Sequence, residues 1–381
     1  MTCEFGFVLH PWHGAERCRA LGERAALEIG LGRVTVPVVT GECTRFSYAP
    51  GDAPRLFFTE GGWHYPPDAA RYAGGALRPK TARWLAKRHP LDRIREAVER
   101  HGLRCNFEID LRGLRGVIEQ QPELGRQTAW NEPLPGHPAC LNQPAVRQLL
   151  RSTIDELLSY APAALMLAGL PGAETPHAAP AAARAARWGV NVETDELLGV
   201  CFCAACREVA AGAGVDAEQA ARSVQVHIER LAVGDRASAA AAMREDGVLE
   251  TYRAAIRGET GGWLARLAGV ISPADAYFVT SVVDGPVHLF ESWRPLLEVR
   301  LTDDEGQPDA ASHMVGAAGL NAGAARLPAY RPAFHSPAEL VRLTGELARA
   351  GARLIEFSGF DAAPPDAGDW LRQAVRFARR G

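Results

Sequence analysis

No run of 18 uninterrupted apolar residues occurs in this 381-residue sequence, so no segment of it reads as a membrane-spanning helix. The opening Met1-Thr2-Cys3-Glu4-Phe5-Gly6 lacks the basic stretch and apolar run of a secretory signal. An excess of one charge is missing as well. Lys plus Arg number 42 against 45 Asp plus Glu, a net charge of -3, which leaves no broad basic field for a polyanion. The signature loops of several enzyme classes are also absent: no G-x-G-x-x-G after a strand, no G-x-x-x-x-G-K-[ST], no H-E-x-x-H and no G-x-S-x-G. The expectation is a soluble, cytoplasmic protein with a small-molecule ligand, no nucleic-acid partner and no membrane partner.

What is present suits a large packed core. Apolar residues make up 47% and charged residues 23%, far from the composition of a disordered chain. The length exceeds that of one ordinary core, so the chain is either two domains or a large architecture such as an α/β barrel. Short β-rich runs alternate with amphipathic helical runs. Strands are predicted at Phe5 to His10, Val34 to Thr40, Arg104 to Asp110, Ala164 to Gly169, Tyr277 to Asp284, Leu297 to Asp303, Arg326 to Pro332 and Arg353 to Phe360. Helices are expected at Ala15 to Ile29, Leu91 to His101, Pro144 to Tyr160, about Ala217 to Ile271, Pro337 to Ala350 and Asp366 to Arg380. Ser336-Pro337-Ala338-Glu339 reads as a capped helix start and Gly351 as its close. Eight such units predict an α/β fold, a (β/α)8 TIM barrel forming one domain over 1–381, with insertions at about 42–90 and 171–271.

Four of the eight cysteines (Cys3, Cys18, Cys43, Cys105) are scattered and read as ordinary small buried residues. Cys201-Phe202-Cys203-Ala204-Ala205-Cys206 is different, because C-x-C-x-x-C lets one loop present three thiolates to a tetrahedral ion. A fourth ligand must come from elsewhere. Zinc is the default ion for soft thiolates, and a closed four-thiolate site is structural rather than catalytic.

Cys140-Leu141-Asn142-Gln143-Pro144-Ala145-Val146-Arg147, followed downstream by Cys-Phe-Cys-Ala-Ala-Cys-Arg, resembles the metal-binding constellation of family 42 β-galactosidases. It resembles still more a group of bacterial glycosyl-hydrolase-like barrel proteins that share C-x-N-x-P-x-V-R, the CFCxxC-R segment and a Trp/His-Tyr-Pro-Pro loop, here Trp63-His64-Tyr65-Pro66-Pro67. The resemblance implies a structural zinc held by Cys140, Cys201, Cys203 and Cys206. It also implies an acid/base Glu at the end of strand four and a nucleophilic Glu at the end of strand seven. The sequence departs at both places, reading Leu167-Ala168-Gly169-Leu170-Pro171 and Tyr330-Arg331-Pro332-Ala333-Phe334-His335. Trp130-Asn131-Glu132-Pro133 copies a string found at strand four of several glycosidases, but no strand character precedes it, and it reads as an exposed turn.

Carboxylates at other strand ends are the candidates instead. On the third strand Asn106, Glu108, Asp110 and Arg112 alternate with Cys105, Phe107, Ile109 and Leu111, which predicts a polar lumenal stripe; an internal salt-bridge network with Arg112 is the competing reading. Glu356 sits in the apolar run Leu354-Ile355-Glu356-Phe357, where a carboxylate is costly unless paired or functional. Glu108, Asp110 and Glu356 are therefore the acid/base candidates, with Asp284 positioning substrate; Asp303, Asp304 and Asp361 occupy comparable places. His10, Trp12, His13, Trp63, His64, Tyr65, Tyr330, Arg331 and His335 complete a sugar-like lining. The expected function is that of a glycoside hydrolase-like protein acting on a carbohydrate or glycoside. The alternatives are a non-hydrolytic sugar-binding protein and a biosynthetic isomerase or lyase on the same fold.

Overall fold

The segment Arg33-Val-Thr-Val-Pro-Val-Val-Thr40 is dense in β-branched residues, which favour extended backbone, and is nearly continuous in apolar character, as a strand covered on both faces should be. Its Pro37 has no N–H for the ladder, and the pairing with the next strand shifts register between Pro37 and Val39. The computed structural model describes residues 3–47, 56–85, 89–134, 136, 138–170, 192–234, 236–272, 274–280, 293–298, 323–329, 336–364 and 366–380.

Eight strands form the centre: β1 (Glu4–Val8), β2 (Arg33–Thr40), β3 (Arg104–Asp110), β4 (Ala164–Ala168), β5 (Asp275–Thr280), β6 (Arg294–Glu298), β7 (Ala324–Pro328) and β8 (Leu354–Ser358). Each pairs in parallel with its successor, and β8 pairs with β1, so the sheet closes on itself in the manner of a (β/α)8 barrel. The expected strands fall on these elements, β6 starting three residues before its predicted position. A short antiparallel segment, Gly62–Trp63, adds to the end of β2, and a separate hairpin pairs Cys43–Phe46 with Leu56–Thr59.

Three helices, Pro90–Glu99, Pro144–Leu158 and Pro337–Arg349, begin with proline in the first turn, where its missing N–H has no intrahelical partner to lose. Gly351 closes the last of them at φ 90°, but the Ser336 side chain makes no capping bond. The expected long helix to Ile271 is instead three: Ala217–Val233, Arg236–Arg244 and Gly247–Ile271. The break is local chemistry, since Asp246 turns its carboxylate onto the N–H groups of Val248 and Leu249 and starts a new helix. These helices carry their own apolar core, built on Leu197, Phe202, Val224, Leu249 and Tyr252.

Alternation along the strands sorts the barrel. Phe5, Phe7, Val34, Val36, Phe107, Ile109, Leu165, Ile355 and Phe357 pack outward against the helices in the main core. The lumen is filled by Ala164, Met166, Tyr277, Val279, Leu296 and Leu354 on one side and by Thr35, Asn106, Glu108, Arg326 and Glu356 on the other. At the N-terminal end, Glu4 bonds Arg33 and Arg104, and Asp275 bonds Arg33 at 3.6 Å and Arg294 at 2.5 Å. The C-terminal end carries a different chemistry.

Candidate active site and metal centre

β3 ends in three carboxylate- and amide-bearing side chains aimed inward. Asn106 donates to Thr35 Oγ1 at 3.1 Å, and its own Oδ1 is enclosed without a partner. Glu108 lies deep in the lumen, and Arg326 Nη2 meets its Oε2 at 2.5 Å. The same guanidinium nitrogen meets Glu356 Oε2 at 2.8 Å, while Thr35 donates to Glu356 Oε1. Burial pushes the Glu108 carboxyl up, and the Arg326 charge opposes that rise. Two acids expected as a free pair are thus bridged by one buried arginine. The competing reading is met in part: Arg112, in the 3-10 turn after β3, pairs with Asp110, whereas Glu108 is held by Arg326.

Asp110 sits higher, at the rim. Its Oδ1 accepts from Arg112 N at 2.9 Å, and capping that turn fixes its rotamer; Arg112 Nε lies 2.9 Å from both carboxylate oxygens. Gly169, just after β4, has φ 72°, and a Cβ there would stand 2.7 Å from Asp110 Oδ1. The Asp110 carboxylate thus reaches over from β3 against the end of β4.

The rim between β8 and β1 is built around Asp361, fully buried in the 3-10 turn after β8. Its Oδ2 accepts from the backbone N of His10 at 3.0 Å, from His10 Nδ1 at 2.6 Å and from His13 Nε2 at 3.0 Å; its Oδ1 accepts from Arg45 Nη2 at 3.2 Å. Burial alone would raise this carboxyl, but the histidine and arginine donors outweigh it and hold it well below the usual carboxylate range. For His10 burial wins over the attraction of Asp361, lowering its pKa to about 4. Arg45 comes from the hairpin, whose inward face also brings Phe57 to the rim.

Trp12 is held between two rings, Phe57 at 4.4 Å and 18° and His10 at 4.4 Å and 31°, so edges rather than a bare face are offered to a ligand. His64 is enclosed: Trp84 Nε1 donates to its Nδ1 at 2.9 Å, which leaves the Nε2 proton for Thr40 Oγ1 at 2.7 Å. Burial lowers its pKa to about 3. Trp63 is a core residue, 1% exposed. Tyr65 is tied down with Tyr72 on Glu156 of the helix Pro144–Leu158, at 3.2 and 2.6 Å, which anchors the Trp63–Tyr72 segment to the barrel wall. Asp284, Asp303, Asp304, Tyr330, Arg331 and His335 lie outside the described residues. Trp130 and Glu132 are on an exposed turn, with Asn131 at φ 62° held by Arg207.

Four cysteines converge from the segments that follow β3 and β4. Cys140 precedes the helix Pro144–Leu158; Cys203 caps the helix Ala204–Gly212, and Cys206 lies in its first turn. All four sulfurs, including that of Cys201, are buried and lie within 4.8 Å of one another. Cys140 Sγ is 3.5 Å from Cys206 Sγ and 3.8 Å from Cys201 Sγ. A tetrahedral ion with metal–sulfur bonds of ~2.3 Å needs sulfur–sulfur edges of about 3.8 Å, so the donor set fits. Asn142 Nδ2 points at Cys206 Sγ at 3.5 Å, and Tyr252 OH holds the Cys201 carbonyl at 2.8 Å.

Sequence reasoning overlooked Arg326, Arg45, Phe57 and Trp84. Arg326 carried a usable signal, a lone cation at the centre of an apolar strand; Arg45, Phe57 and Trp84 reach the rim by a tertiary fold-back that no local pattern announces.

No protein-family profile matches the chain, and no curated protein matches its sequence. Solved structures do. A fucosidase, α-L-fucosidase isoenzyme 2 from Paenibacillus thiaminolyticus, superposes with TM-score 0.55 at 13% identity over 99% of this chain and 49% of its own. A β-galactosidase from the psychrophilic Marinomonas ef1 gives 0.52 at 11% over 98% and 59%, and a β-N-acetylhexosaminidase from Bacteroides fragilis gives 0.50 at 10% over 98% and 66%. The chain therefore has a glycosyl-hydrolase-like barrel fold. It spans about half to two thirds of the length of these neighbours. No helix among the described residues is long and apolar enough to cross a membrane.

Proposed function

We propose that this chain is a carbohydrate-acting protein of the glycoside hydrolase type, with its ligand at the C-terminal rim of the barrel. The observation that carries the reading is the rim itself: Asp361, His10, Asp110 and the edges of Trp12 and Trp84 gather where barrel proteins build their sites. The fold neighbours, by their names, act on glycosides. In this reading Asp110 and Glu108 are the carboxylates that face the ligand, and Glu356 acts through Arg326 to set the charge state of Glu108. Release of chromophore from a panel of aryl glycosides, compared with Glu108→Gln and Asp110→Asn, tests this; full turnover in both variants sinks the assignment.

A second reading is a non-hydrolytic sugar-binding protein, or an isomerase or lyase. The bridging of Glu108 and Glu356 by Arg326 favours it, because a neutralised pair is a poor acid and nucleophile. A sugar that binds without hydrolysis would select it.

The four cysteines are proposed to hold a structural zinc, as the likeness to family 42 β-galactosidases and the CFCxxC segment suggest. The ion would clamp the loop before Pro144 to the loop after the helix Val192–Leu198, and would take no part in the chemistry. We read the chain as a single barrel domain with insertions at about 42–90 and 171–271. A cytoplasmic setting accords with eight free cysteines.

A further inference from the structure

Asp361 does more than tie the rim together, because it decides which nitrogen of His10 carries the proton. An ionised carboxylate only accepts, so His10 Nδ1, 2.6 Å from Oδ2, must be the protonated nitrogen. The backbone N of His10 and the His13 ring bind the same oxygen, and Arg45 holds the other, so the carboxylate has no freedom to turn away. In a neutral imidazole the remaining nitrogen, Nε2, is then a bare acceptor. Among the described residues nothing bonds Nε2, and it is not among the fully enclosed polar atoms. The ring face is fixed by Trp12 at 4.4 Å, which aims Nε2 along the ring plane. Burial keeps the imidazole neutral across the physiological range.

We propose that His10 Nε2 is a specificity-determining acceptor for a neutral hydroxyl group of the ligand, and that Asp361 is its positioning residue. The inference rests on the carbohydrate reading and sharpens it. A sugar or polyol hydroxyl donates to Nε2, whereas a carboxylate or phosphate oxygen placed there meets a lone pair and is repelled. The ligand group at this point is a hydroxyl donor, not an acid.

The test uses the full chain labelled with ¹⁵N-histidine. Long-range ¹H–¹⁵N correlation at neutral pH is expected to show His10 protonated at Nδ1 and bare at Nε2, and titration with the neutral sugar that most raises the melting temperature is expected to move the Nε2 resonance. Asp361→Asn replaces one oxygen by an NH2 that faces either Nδ1 or Arg45; if the same spectrum shows His10 turned into the Nε2–H tautomer, affinity for that sugar should fall roughly tenfold to a hundredfold. If Asp361→Asn is not recovered folded or keeps the Nδ1–H tautomer, His10→Gln takes its place and should weaken the same sugar while leaving the other histidine tautomers unchanged. An Nε2–H tautomer in the native chain overturns the proposal. So does a sugar that binds with the Nε2 resonance unmoved, or equally to both variants. If no neutral sugar binds at all, the carbohydrate reading fails and the ligand assignment with it, a result distinguishable from the tautomer, which is read without ligand.

Discussion

Two histidines buried in the neutral form make this barrel acid-sensitive in a definable window. His10 and His64 have an ordinary value of 6.5 and are lowered to about 4 and about 3 in the fold. Unfolding frees them to take protons, so the unfolded chain gains protons as pH drops below 6.5 and stability falls with it until the folded values are reached. Lowering a histidine's titration by one pH unit corresponds to about 1.4 kcal/mol, which makes the two residues worth on the order of 3 to 5 kcal/mol apiece, against a typical total of about 5–15 kcal/mol. Two opposing or later contributions are identifiable. Glu108 is raised, so its contribution is present at low pH and is lost as pH climbs through its folded value; Asp361 is depressed, and its contribution is lost only below the usual carboxylate range. Each histidine contributes a fall of up to about 1.4 kcal/mol per pH unit and Glu108, where it titrates, an opposing rise of the same size, so urea unfolding between pH 7.5 and 4.5 should show stability dropping with a net slope between about 1.4 and 2.7 kcal/mol per pH unit. His64→Gln keeps an acceptor for Trp84 and a donor for Thr40 but cannot titrate, and should flatten the slope by about 1.4 kcal/mol per pH unit even if it is less stable at pH 7. An unchanged slope in that variant, or equal stability of the native chain at pH 5 and 7, refutes the reasoning.

Metal analysis of the native chain should find close to one zinc per molecule, and a strong chelator should lower the melting temperature; a metal-free chain with an unaltered melting curve contradicts the four-cysteine site. Arg326→Met leaves Glu108 and Glu356 facing each other without a cation, and should cost about 3–5 kcal/mol by denaturant unfolding, partly recovered by adding Glu356→Gln; a cost below about 1 kcal/mol would show the ion pairs to be slack. Tyr72→Phe removes a 2.6 Å bond to the Glu156 carboxylate and should cost about 1.5–3 kcal/mol, measured the same way, with no loss meaning that the Tyr72 hydroxyl adds nothing to the remaining tie between Tyr65 and Glu156.

The strands were legible because barrel strands are short apolar runs between helices whose starts carry proline and whose ends carry glycine; Arg104–Asp110 was located to the residue. The cysteine cluster was legible because three of its four thiols fall within six residues of sequence. The break of the long helix at Asp246 was readable in principle, an Asp-Gly pair before an apolar run, but alanine-rich flanks hid it. What sequence could not supply was partnership across the barrel. Glu108 and Glu356 stand out as buried acids, yet only the closed ring brings Arg326 between them, and only the hairpin fold-back brings Arg45 to Asp361. A polar residue in an apolar strand announces that it needs a partner, and the partner's identity is a tertiary fact.

The central claim is that the rim of this barrel binds a sugar. It is tested most directly by the melting temperature of the intact chain against monosaccharides, oligosaccharides, uronic acids and aryl glycosides. A ligand at roughly a hundredfold excess over its Kd adds about 2.7 kcal/mol, about 3 °C for a chain of this size. At least one neutral sugar or glycoside is expected to give such a shift; a panel in which only acids shift the transition, or nothing does, contradicts the claim.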